Sequence, residues 1–185
     1  MGKDFDIGEL AVWAADVGSV HRGNFGWGRA PLEEGEGGYE TGTSIHDFAE
    51  GIAADLSAGR YVALGFECPL FVPITQEPLS LTKARPSELD RAWSASVGAC
   101  ALSTGLTECV WVFERLRGSA QVSIKPTFDW ASLCSRRANL FIWEAFVTSA
   151  AKAATHAGDA ELAVRAFCSH YPRITQANAV TAPNP

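Results

Sequence analysis

Three short segments, far apart in the chain, each set one acid among apolar or small residues. They are Ala14-Ala15-Asp16-Val17-Gly18, Leu64-Gly65-Phe66-Glu67-Cys68-Pro69 and His156-Ala157-Gly158-Asp159-Ala160. An ionised carboxylate at the end of a buried strand is costly unless something pairs with it. Carboxylates that converge also repel one another, and a divalent cation is the usual partner that makes such a group tolerable. Magnesium and manganese take hard oxygen ligands in near-octahedral geometry. Two such ions, roughly 3.5–4 Å apart, can activate water and stabilise the leaving oxygen of a phosphodiester. Asp16, Glu67 and Asp159 are therefore the candidate catalytic residues and metal ligands, with Mg2+ or Mn2+ as the expected cofactor. The plainer alternative for Asp16 is a carboxylate that satisfies backbone donors in its own turn.

Other residues extend this set. Glu144 interrupts the apolar stretch from Leu140 to Val147, either as a further metal ligand or as the partner of Lys152 or a nearby arginine. His156 stands one helical turn before Asp159, as a ligand or as a helix-end or surface residue. Lys83 and Arg85, with Arg91 beyond them, could meet substrate phosphates; the same residues equally describe a solvated face. Trp93 could stack a base or fill the core.

The elements that must position these groups follow from pattern. Leu10 to Asp16 reads as a strand, turning at Val17-Gly18-Ser19, with Asn24 to Ala30 as its hairpin return. Glu33 to Gly38 is an acidic, glycine-rich turn before a weaker strand at Tyr39 to Thr43. Ser44-Ile45-His46-Asp47 resembles a capping box, and Ile45, Phe48, Ile52 and Leu56 continue at helical spacing to an end near Gly59. The nearly continuous apolar run Tyr61 to Cys68 fits a central parallel strand covered on both faces. Strand, helix, strand implies a right-handed crossover. It sets Asp16 on the central strand and Glu67 on its parallel neighbour.

Further on, Phe71 to Leu89 is expected to be a long loop bordering the site, and Asp90 to Arg117, interrupted by Gly98 and Gly105, one broken helix or two consecutive buried helices. Pro126 to Arg137 reads as a loop with one helical turn, and Ala138 to Phe146 as a second buried strand. Ala150 to Tyr171 reads as a helix broken near Gly158. One domain over residues 1–173 is expected, with 174–185 as a mobile tail.

Composition narrows the classes. The net charge of −6 does not favour non-specific adhesion to nucleic acid, although a local basic groove can coexist with an acidic whole. The five cysteines are scattered without a CxxC pair, which argues for reduced, mostly buried thiols and against thiolate zinc. No apolar run reaching the roughly 18 residues of a membrane span is expected, and no secretion signal begins the chain. The expected location is the cytoplasm, without membrane attachment.

The order of the pieces carries a resemblance. Asp16-Val17-Gly18-Ser19, Asn24-Phe25-Gly26-Trp27, Gly65-Phe66-Glu67-Cys68-Pro69-Leu70, Trp143-Glu144-Ala145-Phe146 and His156-Ala157-Gly158-Asp159-Ala160 together resemble the ribonuclease H-like superfamily. Within it the chain is similar to bacterial DUF429-type and Holliday-junction-resolvase-like proteins. The resemblance implies an α/β fold: a mixed five-stranded sheet with helices on both faces. It implies metal binding by Asp16, Glu67 and Asp159, with His156 one turn before the last acid and Glu144 as the acid of the last strand. It also implies a possible homodimer.

The expected function is a divalent-metal-dependent nuclease acting on structured nucleic acid. Two alternatives remain at this point: a catalytically silent binding or scaffold protein of the same fold, and a small-molecule phosphohydrolase.

Overall fold

The computed structural model describes residues 9–31, 38–72, 74–85, 88, 92–119, 121–147 and 151–174. The Glu33–Gly38 turn (all but Gly38), Arg91 and all but the first residue of the expected tail lie outside the described residues. Among those described, the fold is mixed α/β, with a six-stranded mixed sheet and four α-helices.

The first strand, β1 (Leu10–Asp16), is buried along its whole length and forms the middle of the sheet. It pairs antiparallel with β2 (Gly26–Pro31), which pairs antiparallel with β3 (Glu40–Gly42). Helix α1 (Ile45–Ser57) follows; Ser44 caps it by accepting from the Asp47 amide at 3.2 Å, and Gly59 closes it in a left-handed conformation at φ 81°. The chain then returns as β4 (Tyr61–Phe66), parallel to β1 on its other side. Both neighbours of β1 are thus where alternation and the apolar run place them.

The second half departs more from expectation. Helix α2 (Ser96–Ser119) is one unbroken helix. By length and apolar composition it is long enough to cross a membrane, which corrects the expectation that no such stretch exists. One stripe of it (Gly105, Glu108, Cys109, Val112, Leu116) is buried against the domain, while Leu106 and Val110 on its other side are exposed. Gly105 does not interrupt α2. A Cβ there would fall 2.2 Å from Cys68 Sγ, so the glycine is the point of close approach between α2 and the end of β4.

The expected loop at 126–137 contains a two-residue strand, β5 (Pro126–Thr127), and a short helix, α3 (Trp130–Cys134) capped by Asp129. Strand β5 adds a sixth, edge strand beside β6 (Leu140–Glu144), giving the order β3-β2-β1-β4-β6-β5. Its pairing is too short to leave a period in the sequence. Helix α4 (His156–His170) begins at the Thr155 cap and runs unbroken through Gly158. A Cβ at Gly158 would sit 2.7 Å from that of Ala153, so this glycine admits the chain that folds over the start of α4. Ile174 is buried on the sheet, so packing extends past residue 173.

The core has two layers, one on each face of the sheet. Ala11, Trp13, Ala15, Val62, Leu64 and Phe66 face α1 and α2. Leu10, Val12, Ala14 and Ala63 face α3 and α4. The period-two alternation of the strands decides which acids can meet. A buried ion network locks the first layer. Asp55 of α1 accepts from Trp13 Nε1 at 2.8 Å, from Arg29 at 2.9 and 3.1 Å and from Arg60 at 2.8 Å.

Candidate metal centre

Asp16 is the last residue of β1 and shares its sheet face with Leu10, Val12 and Ala14, the face α4 covers. Glu67 directly follows β4, and its amide bonds the Ala15 carbonyl at 2.7 Å, so the two strands end side by side. Asp159 lies in the first turn of α4, where the helix dipole favours negative charge. Carboxylate oxygens of Asp16, Glu67 and Asp159 come within 4.8 Å of one another, and the group could hold a metal ion.

What brings α4 close enough is the glycine pair on β2. Gly26 is the ladder partner of Asp16, and a Cβ on it would fall 2.2 Å from the Ala157 amide nitrogen and 2.3 Å from the His156 carbonyl carbon. Gly28, two residues on, faces Ala160 and Glu161 in the same way. The bare backbone of β2 therefore lets the first turn of α4 lie directly on the sheet. His156 Nδ1 pairs with Asp16 Oδ2.

A lysine occupies the middle of the cluster. Lys152 Nζ lies 3.0 Å from Glu67 Oε1, 3.1 Å from Asp159 Oδ2 and 4.0 Å from Asp16 Oδ1. The same segment gives Asp159 a second bond, from the Ala153 amide at 2.6 Å. Burial tends to lower the Lys152 pKa, but its bond to Glu67 and the charges around it carry it above the ordinary lysine value. Glu67 moves the other way for a carboxylate. Burial first, then the charge of Asp16, pushes it up to about 8, against the pull of Lys152. Its Oε2 is buried with no hydrogen-bond partner.

Glu144 is held elsewhere. Strand register pairs it with Phe66, on the face opposite Asp16, and period two keeps it there. Its Oε1 accepts from Arg85 Nη1 at 2.9 Å and from the Leu70 and Phe71 amides at 2.7 and 3.3 Å. The arginine alternative read from the sequence describes it, and the metal-ligand assignment does not. Arg85 is corrected with it. Its side chain is 3% exposed and is engaged by Glu144 and Glu88, so it presents no open face to a phosphate. Lys83 is exposed, in the loop whose Lys83 carbonyl accepts from Trp93 Nε1 at 3.2 Å.

Sequence reasoning missed two members of this neighbourhood. From the sequence, Lys152 is a candidate partner for Glu144 alone. Glu108, on the buried stripe of α2, is 6% exposed, and burial followed by the charge of Asp16 raises it to about 7 despite a bond from the Gly18 amide. The signal was present, since Gly105, Glu108, Val112 and Leu116 recur at helical spacing. Comparison of the chain with protein-family models, curated proteins and solved structures found no match.

Proposed function

We propose that this chain is a divalent-metal-dependent phosphodiester hydrolase of the ribonuclease H-like fold, acting as a nuclease on structured nucleic acid. The observation that carries the reading is the convergence of Asp16, Glu67 and Asp159, from three distant segments, around an ammonium already in a cation's place. An acid on the central strand, a second beside it on the parallel strand and a third on the last helix support the fold assignment.

The donor set fits a hard cation. It is all oxygen, largely buried, and leaves Glu67 Oε2 without a partner. When bound, Mg2+ or Mn2+ would supply Lewis acidity and a water acidified toward neutral pH. The chain's own residues do the rest. Asp16, Glu67 and Asp159 would hold the ion. His156 fixes the Asp16 carboxylate from the side. Lys152 balances the three acids in the cation-free protein and leaves their centre when an ion takes it; its side chain is 39% exposed, with solvent to move into. Freed, its ammonium is a cationic group available to a substrate phosphate beside the site. The free cysteines suit a reducing cytoplasm.

Lys152 also favours a second reading, a catalytically silent scaffold in which the lysine has permanently replaced the metal. A hydrolysis panel separates the readings: branched and duplex DNA and RNA, nucleotides and a chromogenic phosphodiester, each with Mn2+, for wild type and Asp16→Asn. Cleavage of structured nucleic acid lost in Asp16→Asn is the expected result. Cleavage of small esters alone indicates a small-molecule phosphohydrolase, and no cleavage at all supports the scaffold.

A further inference from the structure

From Ser96 to Phe113 the only charged residue of α2 is Glu108, and it is buried. The other side of the helix meets solvent over this length without a charge. Val97, Leu106 and Val110 are 73%, 59% and 56% exposed, and Cys100, Ser103 and Thr107 between them are exposed as well. Spacings of three and four residues put all six on one stripe. Its two hydroxyls already donate into their own helix, Ser103 Oγ to the Cys100 carbonyl at 3.0 Å and Thr107 Oγ1 to the Ser103 carbonyl at 2.9 Å. Covering them leaves no donor unsatisfied.

The stripe has the same profile read in either direction. Branched apolar residues stand toward both ends, Val97 at one and Leu106 and Val110 at the other, with Cys100 and Ser103 between. Small residues at the centre let a second helix backbone come close, whereas a helix lying on lipid presents bulky Leu, Phe or Trp. The ends are complementary in charge. Exposed Lys83 lies in the loop fastened to the start of α2 by Trp93 Nε1 to its carbonyl at 3.2 Å and Ser94 Oγ to the Thr82 carbonyl at 2.6 Å. Glu114, near the other end, has a side chain 65% exposed.

We infer that this stripe of α2 docks against the same stripe of a second copy of the chain, the helices antiparallel and crossing near Ser103. Residue contacts are then reciprocal, as a two-fold axis requires. Val97 of one copy meets Val110 of the other, and Glu114 of one lies beside Lys83 of the other. A helix of this length offers a neighbour a strip of roughly 36 Å by 10 Å. That is below the ~800 Å² per partner of a standard interface, even with Leu79 and Leu81 of the adjoining loop exposed beside it, so the pair is a weak, concentration-dependent dimer. The inference does not depend on the cation site.

The test is sedimentation velocity of the full chain, wild type and Leu106→Glu, from low to high micromolar concentration. Wild type is expected to pass from monomer to dimer, and Leu106→Glu to stay monomeric with its melting temperature unchanged, because the residue is exposed in the single chain. Ser103→Cys in a Cys100→Ser background supplies a second reading: mild oxidation is expected to link two chains through residue 103. A wild type that stays monomeric throughout overturns the inference, as does a dimer that Leu106→Glu leaves intact and residue 103 does not cross-link. A monomeric wild type that co-sediments with phosphatidylcholine vesicles, and loses this in Leu106→Glu, overturns it in favour of a lipid surface.

Discussion

Lys152 Nζ lies 3.0 Å from Glu67 Oε1, and this ammonium stands where three converging carboxylates call for a cation. A divalent ion bound by these acids would compete with the lysine for one position. Replacing Lys152 by Met removes the competitor without removing a ligand. In the cation-free protein the variant is expected to be less stable, by about 1–2 kcal/mol for a lost charge-assisted bond at a partly exposed side chain. Its affinity for Mn2+ is expected to rise about tenfold, or ~1.4 kcal/mol. Denaturant unfolding of the cation-free proteins checks the first and calorimetric titration the second; equal affinities would show that the lysine does not contest the site.

The raised carboxylates make a pH prediction with a definite sign. With folded values of about 8 for Glu67 and about 7 for Glu108, against an ordinary value of 4.5, the native protein retains protons that the unfolded chain has released. Stability from these groups is therefore full below about pH 4.5 and is lost as pH rises toward 8. Lys152, Asp159 and His156 face the same cluster and stay in place in the comparison. Glu67→Gln is expected to flatten the decline in melting temperature between pH 5 and 8, and Glu108→Gln to flatten the part below about pH 7. A cation-free wild type whose melting temperature climbs over that window would contradict the assignment.

Gly26→Ala tests the link between packing and site. The added methyl would overlap the backbone of His156 and Ala157, so α4 must shift off the sheet. An overpacking cost of about 1–3 kcal/mol is expected. Because α4 carries both His156 and Asp159, Mn2+ binding should weaken in the protein that remains folded. A stability loss with unchanged binding would mean that the cluster tolerates movement of α4.

Asp55→Ala separates structural from functional acids. Its loss leaves Arg60 and the Trp13 indole without their carboxylate and Arg29 with Glu40 alone. A destabilisation of about 3–5 kcal/mol is expected, as for one partner removed from a buried ion pair. Denaturant unfolding measures it, and Mn2+ affinity measured on the folded fraction should match wild type.

The legibility of this chain was uneven for physical reasons. Strand β1, its hairpin partner, the capped α1 and the parallel β4 follow from alternation, a Ser44 cap and an apolar run, all local signals. The acids of the cluster were legible because each is an isolated charge in an apolar segment. Glu144 shows the limit: it has the same local appearance, and only the register with Phe66 puts it on the other face, where Arg85 waits from a distant loop. Lys152 was not legible as the cluster's counter-charge, since nothing in its neighbourhood tells which way it reaches. Gly105 and Gly158 looked like breaks in helices and are contact points instead, a distinction made by the tertiary neighbours Cys68 and Ala153.

The most direct measurement is a thermal-shift titration with Mn2+ on wild type, Asp16→Asn and Glu67→Gln. An ion that binds only the native state raises the melting temperature as its concentration passes the dissociation constant. A cation site predicts a rise in wild type that both variants lose. A wild type whose melting temperature is unmoved at millimolar Mn2+ would contradict it and leave Lys152 as the permanent partner of these acids.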